Sequence, residues 1–448
     1  MGDSIAIIGA GLCGNLLAIL LARRGLAITV YDRGGAPDAD EPAGGRSINL
    51  ALAARGIRAL ELAGIHDQIR PLLLPMRGRI VHEQGGGVRF LPYGQHRDET
   101  IWSVARAALN RRLYESARDR FAVEYRFAHE CTGFDAGAFS ARFDSGTGAI
   151  ERSAGLVLAA DGAGSTVRRS LEQAGALSAR EDLLDHGYKE LHVPARAGGE
   201  FVLDPGGLHI WPRGGFMLIA LPNLDRSFTA TLFLPHRGHP GFDSLTAAGV
   251  TDFFRANFGD VLEHLPALPA EFGRRPVGTL GTVHCAPWSL APDPDDGRRV
   301  LLIGDAAHAI VPFHGQGMNA AFEDCAALDR LVAEHGPDWP AVVPRFEAAR
   351  RDNARAIAEM ALENYAEMRD HVRAAGFEQR AQLAFELERR FPGRFIPRYS
   401  MVMFHPEIPY AEAKSRGAIQ AQILDQALAS GSEATALAHA SALVDARL

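Results

Sequence analysis

No run of this chain reaches the roughly 18 unbroken apolar residues that a membrane-spanning helix needs. Nor do its four cysteines, Cys13, Cys131, Cys285 and Cys325, form a Cys-x-x-Cys pair or a dense frame. The first absence argues against a spanning segment. The second argues against a disulfide scaffold, suits free thiols in a reducing compartment and leaves no metal site to expect. Positive charge is also in short supply. The formal net charge is -7, which argues against a dedicated nucleic-acid surface, and Arg345, Arg350, Arg351 and Arg355 read as a solvated helix face. Internal repeats, low-complexity linkers and a basic leader before an apolar core are missing too, so a cytoplasmic protein without a membrane anchor is expected. What remains is an ordinary globular composition, 47% hydrophobic and 23% charged over 448 residues. That is enough for two or three cooperating domains around a deep site.

The first stretch with chemistry in it is N-terminal. Ser4 to Ile8 predicts a strand, GAGLCG sets Gly9, Gly11 and Gly14 in G-x-G-x-x-G spacing, and a helix over Asn15 to Arg24 and a strand over Ala27 to Tyr31 follow. Asp32 stands 18 residues beyond Gly14. Glycines for the tight turn, for pyrophosphate approach and for close helix packing, with an acid for a ribose hydroxyl, make a dinucleotide-binding βαβ unit that suits FAD as well as NAD.

Further along, Val300 to Ile303 predicts a buried strand broken by Gly304-Asp305, whose carboxylate can accept from a sugar hydroxyl. Pro312, Gly315 and Gly317 leave the next backbone free to lie against a flat ligand. Met318 and Asn319 open a helix whose amides favour electron-rich atoms. Around Leu156, LVLAADGAGSTVR repeats the strand-end acid with Asp161, Ser165 and Arg168. Arg46, among the small residues of GGRSINLAL, suits a phosphate or the edge of a flavin.

Other segments read differently. Met76 to Tyr93 predicts a hairpin turning at Glu83 to Gly87, with one arginine pointing inward. Ile101 to Leu113 has Ser103 near its start and continues as a helix bearing Arg106. Leu208 to Pro235 has the aromatic and branched pattern of an antiparallel sheet. Pro344 to Val372 predicts a helix with Ile357, Met360, Ala361, Asn364 and Met368 on one stripe, which places an amide on an apolar face. Tyr399 is a phenol among apolar neighbours. The expected fold is α/β: a Rossmann-like FAD-binding domain in segments 1–75, 101–180 and 279–340. It is interrupted by the hairpin 76–100 and an antiparallel-sheet substrate domain 181–278, and followed by a helical region 341–448.

GAGLCG, AADGAGSTVR and GDAAHAIVPFHGQGMNAAFEDC together resemble the single-component flavoprotein aromatic hydroxylases. GRSINLAL, MRGRIVHE, LPYG, HGYKEL and the long HIWPRGGFMLIALPNLDRSFTATLFLP block are most similar to the branch that acts on kynurenine. The resemblance implies noncovalent FAD, NADPH as reductant, O2, and hydroxylation of L-kynurenine at ring position 3 through a flavin hydroperoxide, with no certain catalytic side chain. Carried over by position, Gly9, Gly11, Cys13, Gly14, Tyr31, Asp32, Arg46, Arg106, Cys131, Asp161, Thr166, Asp305, Gly317, Met318 and Asn319 would hold the flavin. Arg79 and Tyr93 would bind the substrate carboxylate, with Asn364, Met368, Tyr399 and Phe313 on the walls and His314 and Gln316 in the loop. The family often has Phe at position 314, and the C-terminal anchor of its eukaryotic members is missing here. His308 and His314 are candidate proton donors or satisfied structural histidines. A sister hydroxylase of another aromatic acid and an FAD-binding reductase without oxygen chemistry are the rival functions.

Overall fold

A computed structural model describes residues 4–37, 49–293, 295–369, 376–429 and 433–448. The chain forms two compact units, each from three segments. The first comprises Met1–Leu73, Val104–Leu183 and Gly281–Ala358; the second comprises Leu74–Ser103, Leu184–Leu280 and Glu359–Leu448.

The first unit is built on a six-stranded sheet in the order Ser289–Leu290, Arg299–Leu302, Leu156–Ala159, Ser4–Ile8, Ala27–Tyr31, Glu124–Arg126. All neighbours are parallel except the edge strand Ser289–Leu290. Its central strands are continuous apolar runs, as expected when both faces are covered. The helix Leu12–Ala22 packs against the helices Arg106–Phe121 and Gly317–His335 and buries Leu12, Gly14 and every residue from Asn15 to Leu21. A helix so apolar all round belongs inside a protein. It begins at Leu12, three residues before the sequence suggested, because the last glycine of the motif already belongs to its first turn.

The second unit contains most of a seven-stranded sheet ordered Gly278–Ala286, Ser178–Val193, Phe228–Pro235, Met217–Pro222, Leu208–Pro212, Gly78–His82, Val88–Pro92. The predicted sheet over Leu208 to Pro235 forms its centre, and the predicted hairpin forms one end. Leu208 pairs in parallel with Arg79. One face carries a core of Trp211, Phe228, Phe254, Phe258 and Phe272, supplied partly by the helices Val250–Asn257 and Leu268–Arg274. The helices Phe377–Arg390, Tyr410–Leu428 and Glu433–Arg447 close around Leu387, Phe395, Ile423 and Val444.

Three boundaries differ from the sequence reading. Ile101–Ala105 is a strand, and the helix starts at Arg106 itself. The strand before Gly304 runs from Arg299 to Leu302. The long helix starts at Trp339 and carries Pro344 inside it, ending its described part at Arg369. The arginine run is a correction as well. Arg345, Arg351 and Arg355 are exposed, but Arg350 is buried and bonded to Asp324 at 2.6 Å and Glu323 at 2.7 Å. The helix turns position 350 onto the same inward stripe as Phe346, Ala354 and Ile357.

Among the described residues, no helix is long and apolar enough to cross a membrane, no cluster could hold a metal ion, and all four cysteines are free.

Candidate active site

In the first unit the glycine motif is shaped by contact. Gly9 has φ +104, and a Cβ there would stand 2.5 Å from the Ala160 carbonyl oxygen. A Cβ on Gly14 would lie 1.9 Å from the Gly9 oxygen, so only glycine lets helix and strand approach this closely. Gly11 is different: a Cβ there meets nothing within 4 Å. It is the N-cap of the helix Leu12–Ala22 and offers no side-chain cap. The first amides of that helix therefore face open space, the geometry that receives a phosphate.

Carboxylates surround this opening. Asp32 accepts from the Ala10 amide at 2.7 Å and the Gly34 amide at 2.7 Å, which fixes it at the end of its strand. Asp161 accepts from the Thr166 amide at 2.8 Å through one oxygen, while its other oxygen is buried without a hydrogen-bond partner. Burial raises its pKa, opposed by Ser165 and the backbone amides. Asp305 follows Gly304, whose φ of +61 and 3.1 Å Cβ approach to the Cys13 sulfur require glycine, and is exposed. Arg106 is exposed at the first position of its helix, the end where the helix dipole disfavours a cation. Among the described residues it has no ion-pair partner. A cationic helix start, an orphaned acceptor and an open amide cradle fit the pyrophosphate and hydroxyls of a dinucleotide such as FAD.

The remaining flavin candidates are structural in their visible contacts. Tyr31 is buried and stacks on Phe143 at 4.4 Å. Burial pushes the Cys131 thiol up to about 12, so it stays protonated. Cys13 approaches Cys325 with a sulfur separation of 3.7 Å. Asn319 accepts from the Ala53 amide at 2.9 Å and donates to the Ala51 and Gly315 oxygens at 2.8 Å. Its amide pins the loop to the strand Asn49–Leu52 and is spent there. Gly317 starts that helix and Met318 is half-buried beside it. Phe313, His314 and Gln316 are buried. His308 is buried too, bonded through Nε2 to Asp324 at 2.5 Å. Arg46 lies outside the described residues.

The second unit holds a separate polar cluster. Arg79 is 7% exposed while Arg77, two residues back on the hairpin, is exposed, so Arg79 is the inward arginine. Its Nη1 donates to Glu367 at 3.0 Å and its Nη2 to the Asn364 oxygen at 3.3 Å. The guanidinium lies 4.9 Å over the Tyr399 ring, and Tyr399 stacks with Tyr93 at 5.5 Å. Burial works against the Arg79 charge, but Tyr399, Glu367 and Tyr93 more than offset it and its pKa rises. Burial raises both phenols, Tyr93 well above the ordinary value, so both remain neutral hydrogen-bond donors. Asn364 also donates to the Met368 sulfur at 3.3 Å, and Met368 is buried.

Four of the residues named from sequence for the substrate thus meet around one guanidinium, with Met368 against Asn364. Glu367 was missed, although it lies three residues after Asn364 and its helical spacing carried the signal. Because Asn364 is an acceptor for a buried cation, Asn364→Ala is expected to cost roughly 1 to 3 kcal/mol. Urea unfolding against the parent protein checks this; an unchanged midpoint would show that the amide matters only to a ligand.

The family described as "FAD binding domain" matches residues 3–205 and 289–361. A protein named kynurenine 3-monooxygenase from Stenotrophomonas maltophilia (strain K279a) is 46% identical over 425 residues, 94% of this chain and 91% of its own. One of the same name from Xanthomonas axonopodis pv. citri (strain 306) is 47% identical over 430 residues, 95% and 92% of the two chains. Among solved structures, the tetrameric form of 2-methyl-3-hydroxypyridine-5-carboxylic acid oxygenase superposes with TM-score 0.64 at 20% identity, covering 82% of this chain and 93% of that one. PqsL of Pseudomonas aeruginosa in complex with 2-aminobenzoylacetate gives 0.65 at 20% identity, with 84% and 99% covered. At that identity the two structures speak for the fold alone. The sequence relatives are 46% and 47% identical over 94% and 95% of this chain, and on that ground the chain belongs to the kynurenine 3-monooxygenase family of FAD-binding flavoproteins.

Proposed function

We propose that this chain hydroxylates L-kynurenine to 3-hydroxykynurenine with FAD as cofactor, NADPH and O2 as cosubstrates, and that it works in the cytoplasm. The observation that carries the reading is near-full-length identity of 46% to a protein named for that reaction. The four free cysteines suit a reducing compartment.

When bound, FAD supplies the electron transfer from NADPH and the activation of oxygen. The residues supply position and protection. The amides after Gly11, with Arg106, receive the pyrophosphate, and Asp32, Asp161 and Asp305 take hydroxyl or ring donors. Arg79 grips the carboxylate of the amino-acid substrate with two parallel donors, assisted by the Tyr93 and Tyr399 hydroxyls. Glu367, already bonded to Arg79, gives the same end of the substrate a carboxylate for its ammonium, so that the pair reads a zwitterion. Met368 is apolar and buried against Asn364, and it keeps water from the substrate end of the Arg79 cluster. No side-chain acid or base is required, and His308 is committed to Asp324. His314 and Gln316 complete the loop.

Purified protein loaded with FAD is expected to oxidise NADPH slowly alone and faster with kynurenine, and to release kynurenine carrying one added oxygen, identified by mass. NADPH oxidation that ignores kynurenine would leave a reductase. Stimulation by another aromatic acid instead would move the chain to a sister hydroxylase.

A further inference from the structure

A cavity of about 140 Å³ lies wholly within the first unit and is assigned no part in the reaction above. One wall is the helix carrying Arg351, Ala354, Arg355 and Ala358, which recur at i, i+3, i+4 and i+7 and so share one face. The two alanines leave room and the two arginines border it. The opposite walls hold Trp288, Cys285 and His308.

Its polar groups are mainly donors and mainly cationic. His308 is 7% exposed. Its Nε2 is taken by Asp324, Nδ1 shows no hydrogen bond among the described residues, and the residue itself lines the cavity. Burial disfavours the His308 charge, but Asp324 outweighs it and raises the pKa. Arg351 has only a 3.5 Å contact with Glu347, and Arg355 pairs with Asp352, also on the lining, at 3.1 Å. The Cys285 thiol is spent on the Ala307 oxygen at 3.2 Å, and burial pushes it up to about 12, so it brings no negative charge. His284 stands near Asp182 at 3.5 Å. Asp352 is the one acid among the lining residues, which also include Arg351, Arg355 and His308, so donors outnumber acceptors on the lining. The complementary ligand is small, negatively charged and rich in acceptor oxygens.

We propose that this cavity is an oxyanion-binding site, sized and charged for a phosphate group that docks on His308 Nδ1 between Arg351 and Arg355. The phosphate comes either free from solution or as the 2′-phosphate of an adenine nucleotide. It would lie one side chain from Asp324, which also accepts from the Gly304 amide at 3.2 Å. The cavity therefore communicates with the turn that presents Asp305.

The experiment titrates FAD-loaded protein with potassium phosphate at constant ionic strength, balanced with potassium chloride, and follows tryptophan fluorescence with Trp288→Phe to identify the reporter. A saturable change is expected, lost in Trp288→Phe. In the Arg351→Gln/Arg355→Gln double variant the dissociation constant rises at least tenfold; both side chains are exposed, so the fold survives. Arg345→Gln, on the same helix but outside the cavity, leaves it unchanged. Adenosine 2′-monophosphate saturating at a tenfold lower concentration than phosphate identifies a nucleotide as the source, and equal concentrations identify free phosphate. A linear response that chloride reproduces, or one shared by the double variant and Arg345→Gln, overturns the site. His308→Gln adds the ring's contribution if it folds, and the arginine variants decide the matter if it does not.

Discussion

Arg79→Met is expected to leave FAD binding intact while nearly abolishing the stimulation of NADPH oxidation by kynurenine. The guanidinium is buried, held by Glu367 at 3.0 Å and Asn364 at 3.3 Å, and faced by Tyr399. A carboxylate arriving there meets a desolvated, oriented fork. Removing one partner of such a pair typically costs about 2 to 5 kcal/mol, on the order of 30-fold to several thousand-fold in affinity. Arg79→Lys keeps the charge but not the planar fork and should recover only part of the loss. Arg77→Met is the control. Arg77 shares the strand's alternation with Arg79 but is exposed, so its loss should change the kynurenine concentration at half-stimulation less than threefold, about 0.6 kcal/mol. Normal kynurenine binding by Arg79→Met would remove the carboxylate grip from the proposed function.

Asp324→Ala should be among the most destabilising single changes in the chain. Asp324 is fully buried and bonded to Arg350 at 2.6 Å and His308 at 2.5 Å, both buried as well. Removing one member of a buried ionic set leaves uncompensated charge inside and costs about 3 to 5 kcal/mol. Arg350 keeps Glu323, whereas His308 keeps no ion-pair partner among the described residues. Asp324→Asn preserves the shape and separates charge from volume.

The pH dependence of this network follows from its two shifts. Burial raises the Asp324 pKa, but His308 and Arg350 outweigh it and the net shift is downward. Its stabilisation is therefore present above the unfolded carboxylate value of about 3.9 and is lost as pH falls through the lower folded value. His308 is shifted upward. Its contribution is fully present below the unfolded value of about 6.5 and fades as pH rises through the higher folded one. The gap between parent and Asp324→Asn should be widest between those two unfolded values and narrower at alkaline pH. Urea unfolding at several pH values measures it, and a pH-independent gap would mean that packing, not charge, sets the cost.

Much of this was legible in the sequence because it depends on local rules. The glycine spacing and Asp32 placed the first βαβ unit, and alternation placed the hairpin and the central sheet. The inward arginine followed once the resemblance singled out Arg79. Less legible were interactions between distant segments. Arg350 looked like part of a solvated charge run because its neighbours at 345, 351 and 355 are solvated. Its helical period, which aligns it with Phe346 and Ile357, was the signal against that reading. Its partners Glu323 and Asp324 lie on another helix, and no spacing within one element could pair them. Asn319 shows the same limit. The resemblance placed it beside the flavin ring, but no pattern in the sequence showed that its side chain also ties the backbone at 51, 53 and 315 together.

The three-segment weave of each unit bears on how the protein is made. Ile5 pairs with Leu156, and Leu156 in turn with Arg299, so the first sheet cannot close until about two-thirds of the chain has left the ribosome. At roughly 5 to 20 residues per second that is a wait on the order of 15 to 60 s. During it, the apolar strand Ser4–Ile8 has its neighbour Ala27–Tyr31 but lacks Leu156–Ala159 on its other edge until that strand is made, and the almost wholly apolar helix after it waits for the helix Gly317–His335. Non-local pairing of this kind slows folding and leaves unpaired edges open to association. Yield in the cell should therefore depend on chaperones and growth temperature more than on the stability of the finished fold. Truncations at 73, 183 or 280 should give insoluble fragments, since no piece that ends there contains a complete unit.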